Sequence, residues 1–251
     1  MNRSEPTTRT AVILLSRGGN GSAAAEELQS MQDGLRALLP DCVVTGAYVD
    51  RAAPSLPQAL DACGHADRIV VQPVFVPGDH ALERWLHKVA LRWRHRQPRP
   101  EATPTIVFAP ALGGQPELAH LFAQAARAAA ALPDVSKTAS TRWRHDPVAW
   151  SDVPAHECHV LFCMGPRCTA LGAGELWHRL VRKRQDDGAL RKRVMLLQTS
   201  CQYPCNHGPL MIVYPDGLWY GRLDEAALDR ILDEHLPAGT VDEAHLVHRT
   251  A

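Results

Sequence analysis

At 251 residues the chain exceeds a typical single domain and has the length for two, each with its own core. Lys plus Arg balance Asp plus Glu at 27 each, which excludes a global field that recruits nucleic acid or an anionic membrane, so any partner is read by local chemistry. The first apolar run, AVILL at Ala11, is too short for a signal sequence or a membrane span, so the expected location is the cytoplasm.

From Ala11 to about Leu132, short Val- and Ile-rich runs alternate with stretches of helical period, which predicts an α/β domain built on a parallel sheet. The predicted strands are AVILL at Ala11, CVVTGAYV at Cys42, RIVVQPVFV at Arg68 and TIVFA at Thr105. Ser22 stands as the cap of a helix SAAAEELQSMQDGLRALL, and an Ala-rich helix starts after Pro116. The segment ERWLHKVALRWRHRQ reads as an amphipathic basic helix whose Arg84, His87, Lys88, Arg92, Arg94 and His95 form a solvated face, or alternatively meet an acidic partner. LSRGGNGS lacks the GK[ST] ending of a phosphate loop, and no dinucleotide motif is present.

Between Pro133 and His156 the composition turns to Pro, Asp, Ser, Thr and Trp without period, which marks a linker between domains at 10–132 and 157–246. The chain then restarts with a strand HVLFC, a helix from about Leu171 to Gln185, a strand RVMLLQ, strands LMIVYP and LWYGRL around a turn at Asp216 and Gly217, and a helix EAALDRILDEHL.

Four of the seven cysteines carry the strongest chemical signal. Cys163 and Cys168 enclose four residues and Cys201 and Cys205 enclose three, and each pair follows an apolar strand, so both belong to loops at one sheet edge. In a reducing compartment such thiolates suit a tetrahedral zinc or an iron–sulfur cluster better than disulfides, and the wide gaps favour iron. Cys42, Cys63 and Cys158 read as small buried hydrophobes, and His207 as a loop histidine.

HVLFCMGPRCTALGAGELW and LLQTSCQYPCNHGPLMIVYPDGLWYGRL, from about His159 to Val241, resemble the thioredoxin-like [2Fe-2S] ferredoxins and the related small flavoprotein-associated subunit of respiratory complex I. The paired cysteines, Gly208-Pro209, the Tyr-Pro-Asp-Gly hairpin and Trp219-Tyr220 carry that resemblance, which implies a [2Fe-2S] cluster held by Cys163, Cys168, Cys201 and Cys205. Gly165 and Gly208 are expected to keep the loops compact enough for backbone N–H groups to reach the sulfurs.

VILLSRGGNGSAAAEEL, VVTGAYVDRAAPSLPQAL, RIVVQPVFVPGDHALERWL and IVFAPALGGQPEL, from about Thr10 to Leu132, resemble the small class II chelatases that insert cobalt, nickel or iron into sirohydrochlorin. That family places a histidine after the first strand, an acidic residue at the end of the second and a second histidine after the third; these places hold Arg17, Asp50 and His80. The resemblance implies catalytic roles for Asp50 and His80, with His80 as a ligand of an incoming Co²⁺ or Fe²⁺. Arg17 departs from the pattern, since a guanidinium ligates no metal and instead suits a tetrapyrrole carboxylate. Two functions follow from the resemblances. One is a tetrapyrrole metal chelatase with a fused ferredoxin, for cobalamin or siroheme metabolism. The other is a [2Fe-2S] electron carrier whose chelatase-like domain is non-catalytic. A redox partner protein, a tetrapyrrole ligand and a homodimer are the expected partners.

Overall fold

A computed structural model of the chain describes residues 9–19, 22–138 and 145–250; the eight N-terminal residues, Asn20 and Gly21 of the LSRGGNGS loop, and residues 139–144 of the expected linker lie outside the described residues. No described helix is long and apolar enough to cross a membrane.

The N-terminal part runs β1 (Thr10–Ser16), α1 (Ala23–Leu38), β2 (Cys42–Tyr48), α2 (Leu56–Ala62), β3 (Arg68–Pro73), α3 (His80–Arg96), β4 (Thr105–Phe108) and α4 (Pro116–Ala129). Its strands form an all-parallel sheet in the order β2-β1-β3-β4. Both faces of the central strand β1 are buried: Ala11, Ile13 and Leu15 enter a core with α2 and α3, while Val12 and Leu14 enter a second core with Leu28 of α1. This is why the strand reads as a continuous apolar run without alternation.

Three local expectations change. The RIVVQPVFV strand ends at Pro73, with the Val74 N–H still donating to Leu15 O at 3.0 Å. Ser22 precedes α1 but its side chain makes no capping bond. α3 begins at His80, earlier than the amphipathic run suggested, because Asp79 Oδ1 accepts from the N–H groups of Ala81 and Leu82 at 3.0 and 2.9 Å.

α4 packs little of its surface: none of its residues is buried, and Leu121 and Phe122 are 58% and 57% exposed. Beside α1, the sheet face formed by Val12, Leu14, Val70 and Val74 opens into an apolar groove of about 500 Å³.

A short helix α5 (Val135–Thr138) precedes the undescribed part of the linker. The C-terminal part runs β5 (Cys158–Cys163), α6 (Pro166–Thr169), α7 (Ala173–Asp186), α8 (Gly188–Arg193), β6 (Val194–Thr199), β7 (Met211–Tyr214), β8 (Leu218–Tyr220), α9 (Glu225–Arg230, prolonged by a π turn) and β9 (Leu246–Arg249). The sheet order is β6-β5-β7-β8-β9, with β5 and β6 parallel and the remaining pairs antiparallel. Its core joins Val160 and Phe162 of β5 to Leu176 and Leu180 of α7 and to Leu228 of α9. Gly217 takes φ 63° in the β7–β8 turn, the left-handed region that the Asp-Gly signal demands. β9 was not expected; it closes the sheet edge against β8 and runs to Arg249.

The two parts touch. The Arg51 N–H, in the loop after β2, donates to Met164 O at 3.3 Å, and Ala170 packs against the N-terminal core.

Candidate metal centre and strand-end site

The parallel pairing of β5 with β6 sets Cys163 opposite Thr199, so the chain leaves both strands at the same sheet edge and carries both cysteine pairs there. Cys163 ends β5, Cys168 lies in α6, Cys201 follows β6, and Cys205 opens a 3₁₀ turn. Cys201 Sγ and Cys205 Sγ stand 3.1 Å apart. Cys168 hydrogen-bonds to Cys163, whose thiol is pulled down to about 6 by that bond and by the backbone N–H groups of Gly165 and Gln202, against the opposing effect of burial. The Cys168 thiol is pushed up by the same bond and by burial, and Cys205 is pushed up to about 11, burial being the main cause.

Both glycines singled out in the sequence have a steric reason. A β-carbon on Gly165 would lie 2.9 Å from Cys201 Cα, and one on Gly208 would lie 3.0 Å from Cys168 Sγ. The second loop is also tied to β5: Gln202 Nε2 donates to Leu161 O at 3.0 Å and to Thr199 Oγ1 at 2.8 Å. The Leu210 N–H points at Cys168. The donor set is therefore four sulfurs in two pairs with backbone N–H groups aimed at them, which suits a cluster that takes one pair per iron. The pairs differ in exposure: Cys163 and Cys168 are each 1% exposed, whereas Cys205 is half-buried and Cys201 exposed.

The other cysteines fit the packing role. Cys63 is buried at the end of α2, and Cys42 and Cys158 are partly buried against the cores. His207 Nδ1 accepts from Arg222 at 2.8 Å.

At the carboxyl edge of the N-terminal sheet, Arg17 and Asp50 meet directly. Arg17 Nη1 donates to Asp50 Oδ2 at 2.8 Å, and the Gly18 N–H reaches Asp50 Oδ1 at 3.3 Å. Arg17 Nη2 stands 3.6 Å from Asp79 Oδ2, and the guanidinium carbon lies 5.6 Å from the Phe75 ring centroid. Asp79 is a participant that the sequence reading passed over, because its part depends on how far Arg17 reaches. His80 is not drawn into this cluster: its ring is 89% exposed and pairs with Glu83 at 3.2 Å. Among the described residues at this edge, no three His, Cys, Asp or Glu side chains gather as a metal-ligand set around Asp50 and His80.

The CbiX family model matches residues 11–129. A protein named 2Fe-2S ferredoxin from Aquifex aeolicus (strain VF5) is 33% identical over 89 residues, 32% of this chain and 80% of the relative. The solved structure of a thioredoxin-like [2Fe-2S] ferredoxin from Aquifex aeolicus aligns at 30% identity and a TM-score of 0.37, covering 39% of this chain and 96% of that one. A CbiX protein of cobalamin (vitamin B12) biosynthesis from Marinobacter aquaeolei VT8 aligns at 19% identity and a TM-score of 0.40, covering 47% of this chain and 95% of that one.

The Gly165 contact makes a direct prediction. Gly165→Ala forces a β-carbon into the Cys201 backbone, an overpacking cost of about 1–3 kcal/mol, and separates the two loops. Iron retained after anaerobic purification should fall well below wild type. Gly188→Ala, where a β-carbon meets nothing within 4 Å, should retain wild-type iron.

Proposed function

The chain belongs to the thioredoxin-like [2Fe-2S] ferredoxins through its C-terminal part and carries a CbiX domain in its N-terminal part, and on that premise we propose that it is an electron carrier whose CbiX domain binds a tetrapyrrole without inserting metal. Cys163, Cys168, Cys201 and Cys205 would hold the cluster, which when bound supplies a one-electron couple. Cys201 and Cys205 form the exposed edge of the site, so a redox partner protein approaches from their side.

The observation that carries the non-catalytic reading is the ion pair between Arg17 and Asp50. Metal insertion needs ligands for the incoming ion and a base for the pyrrole protons. Here both Asp50 oxygens already accept hydrogen bonds, and the group at the place of the missing histidine is a permanent cation. His80 remains as a single imidazole ligand, which weakens capture of Co²⁺ or Fe²⁺.

The reading includes a homodimer. α4 is an amphipathic helix with Leu121 and Phe122 exposed, and the groove beside α1 is lined by apolar side chains such as Val12, Leu14 and Val70. A two-fold pair in which α4 of each copy covers the groove of the other satisfies both surfaces.

Two measurements test these statements. Mixed anaerobically with sirohydrochlorin and Co²⁺ or Fe²⁺, the protein should shift the tetrapyrrole absorbance yet leave insertion at the spontaneous rate, with His80→Ala changing nothing. Insertion above that rate, abolished by His80→Ala, would establish a chelatase instead. By light scattering the wild type should have twice the chain mass, and Leu121→Glu/Phe122→Glu should reduce it to one chain; a monomeric wild type at micromolar concentration rules out the pairing.

A further inference from the structure

A second cleft lies away from Arg17. It has a volume of about 510 Å³ and opens between α3 and the cysteine loops, so that residues of both parts of the chain line it. Lys88, Arg92 and Arg96 of α3 face it together with Arg167 of α6. The three α3 cations recur every four residues on one helix face and extend over about 12 Å.

None of these four cations takes part in an ion pair or a side-chain hydrogen bond among the described residues, in contrast to Arg17, which meets two carboxylates. The cleft's one carboxylate, Asp61, is engaged by Trp93 Nε1 at 2.7 Å. Helix polarity favours basic residues in the last turn of α3, but Lys88 and Arg92 lie before it. The walls add the half-buried ring of Trp85 and the apolar side chains of Ala170 and Leu171, and Cys205 completes the lining.

We propose that this cleft binds a planar aromatic molecule carrying several carboxylates, seated against Cys205. Like charges crowded at one opening without counter-ions repel one another, and an anionic ligand relieves that repulsion. Their spread along α3 matches carboxylates distributed around a wide ring, whereas a single phosphate would leave most of them unpaired. The apolar walls take the ring and the cations take the periphery. The inference rests on the tetrapyrrole-binding reading and moves the ligand's carboxylates from Arg17, which is neutralised, to four cations that are not. It also sets the ligand beside a cysteine of the proposed metal centre, where binding and the centre's electronic state influence each other.

The test uses uroporphyrin III, a tetrapyrrole octacarboxylate, with the full chain under anaerobic conditions, followed by porphyrin absorbance and tryptophan quenching. Arg92→Glu/Arg96→Glu should weaken binding about tenfold or more, and added salt should weaken wild-type binding. Arg17→Ala should leave affinity within about twofold, the range expected for a group that makes no contact. Visible circular dichroism of the cysteine-bound centre should change when uroporphyrin binds. If the double variant does not fold by far-ultraviolet dichroism, Lys88→Glu provides the same comparison. Unchanged affinity in the charge-reversed protein with loss in Arg17→Ala would overturn the cleft and keep the tetrapyrrole reading. No binding of uroporphyrin would remove both. Equal affinity for flavin mononucleotide, in competition with uroporphyrin, would overturn the polycarboxylate class.

Discussion

Gly165 sits so close to the Cys201 backbone that a β-carbon there would stand 2.9 Å from Cys201 Cα. That contact sets the separation of two loops leaving neighbouring parallel strands, and with it the distance between the buried and the exposed cysteine pair. Gln202 and the Cys163 N–H, which donates to Leu210 O at 3.0 Å, hold the loops from either side. A thiolate site requires such rigidity, because four negative sulfurs repel one another until a cation is shared among them. The backbone N–H groups directed at Cys163 and Cys168 lower that cost.

The loop after β2 links this centre to the other candidate site. Asp50 holds Arg17 on one side, and the adjacent Arg51 donates its N–H to Met164 O, next to Cys163. Arg51 does so at φ 61°, a conformation that a non-glycine residue adopts at a cost and keeps where its surroundings hold it. The CbiX strand ends and the cysteine loops are therefore joined through one short segment. In this arrangement the Asp50 carboxylate is paired with Arg17, whereas Lys88, Arg92 and Arg96 of α3, beside the cysteines, have no carboxylate partner among the described residues.

Much of this architecture was legible in the sequence, and the exceptions share a cause. The buried strands announced themselves as continuous apolar runs, and the Asp216-Gly217 turn as a hairpin, because both signals are local. The cysteine spacing likewise pointed to two loops at one edge. β9 escaped notice because a four-residue edge strand has too few residues to show a period, and its identity depends on pairing with β8. Asp79 escaped because its sequence neighbours explain only the cap of α3, while its approach to Arg17 depends on how two loops fold together. The cleft was invisible for the same reason: Lys88 and Arg92 read as part of a solvated helix face until Arg167 and Cys205 are set against them.

The most direct measurement is the metal and sulfide content of the full chain purified without oxygen, joined to its electron paramagnetic resonance after reduction. Two irons and two acid-labile sulfides per chain, with a half-integer-spin signal appearing on one-electron reduction, are what the account predicts. A colourless protein carrying zinc and no sulfide would contradict it, since the same four sulfurs would then form a structural staple and the chain would carry no electron.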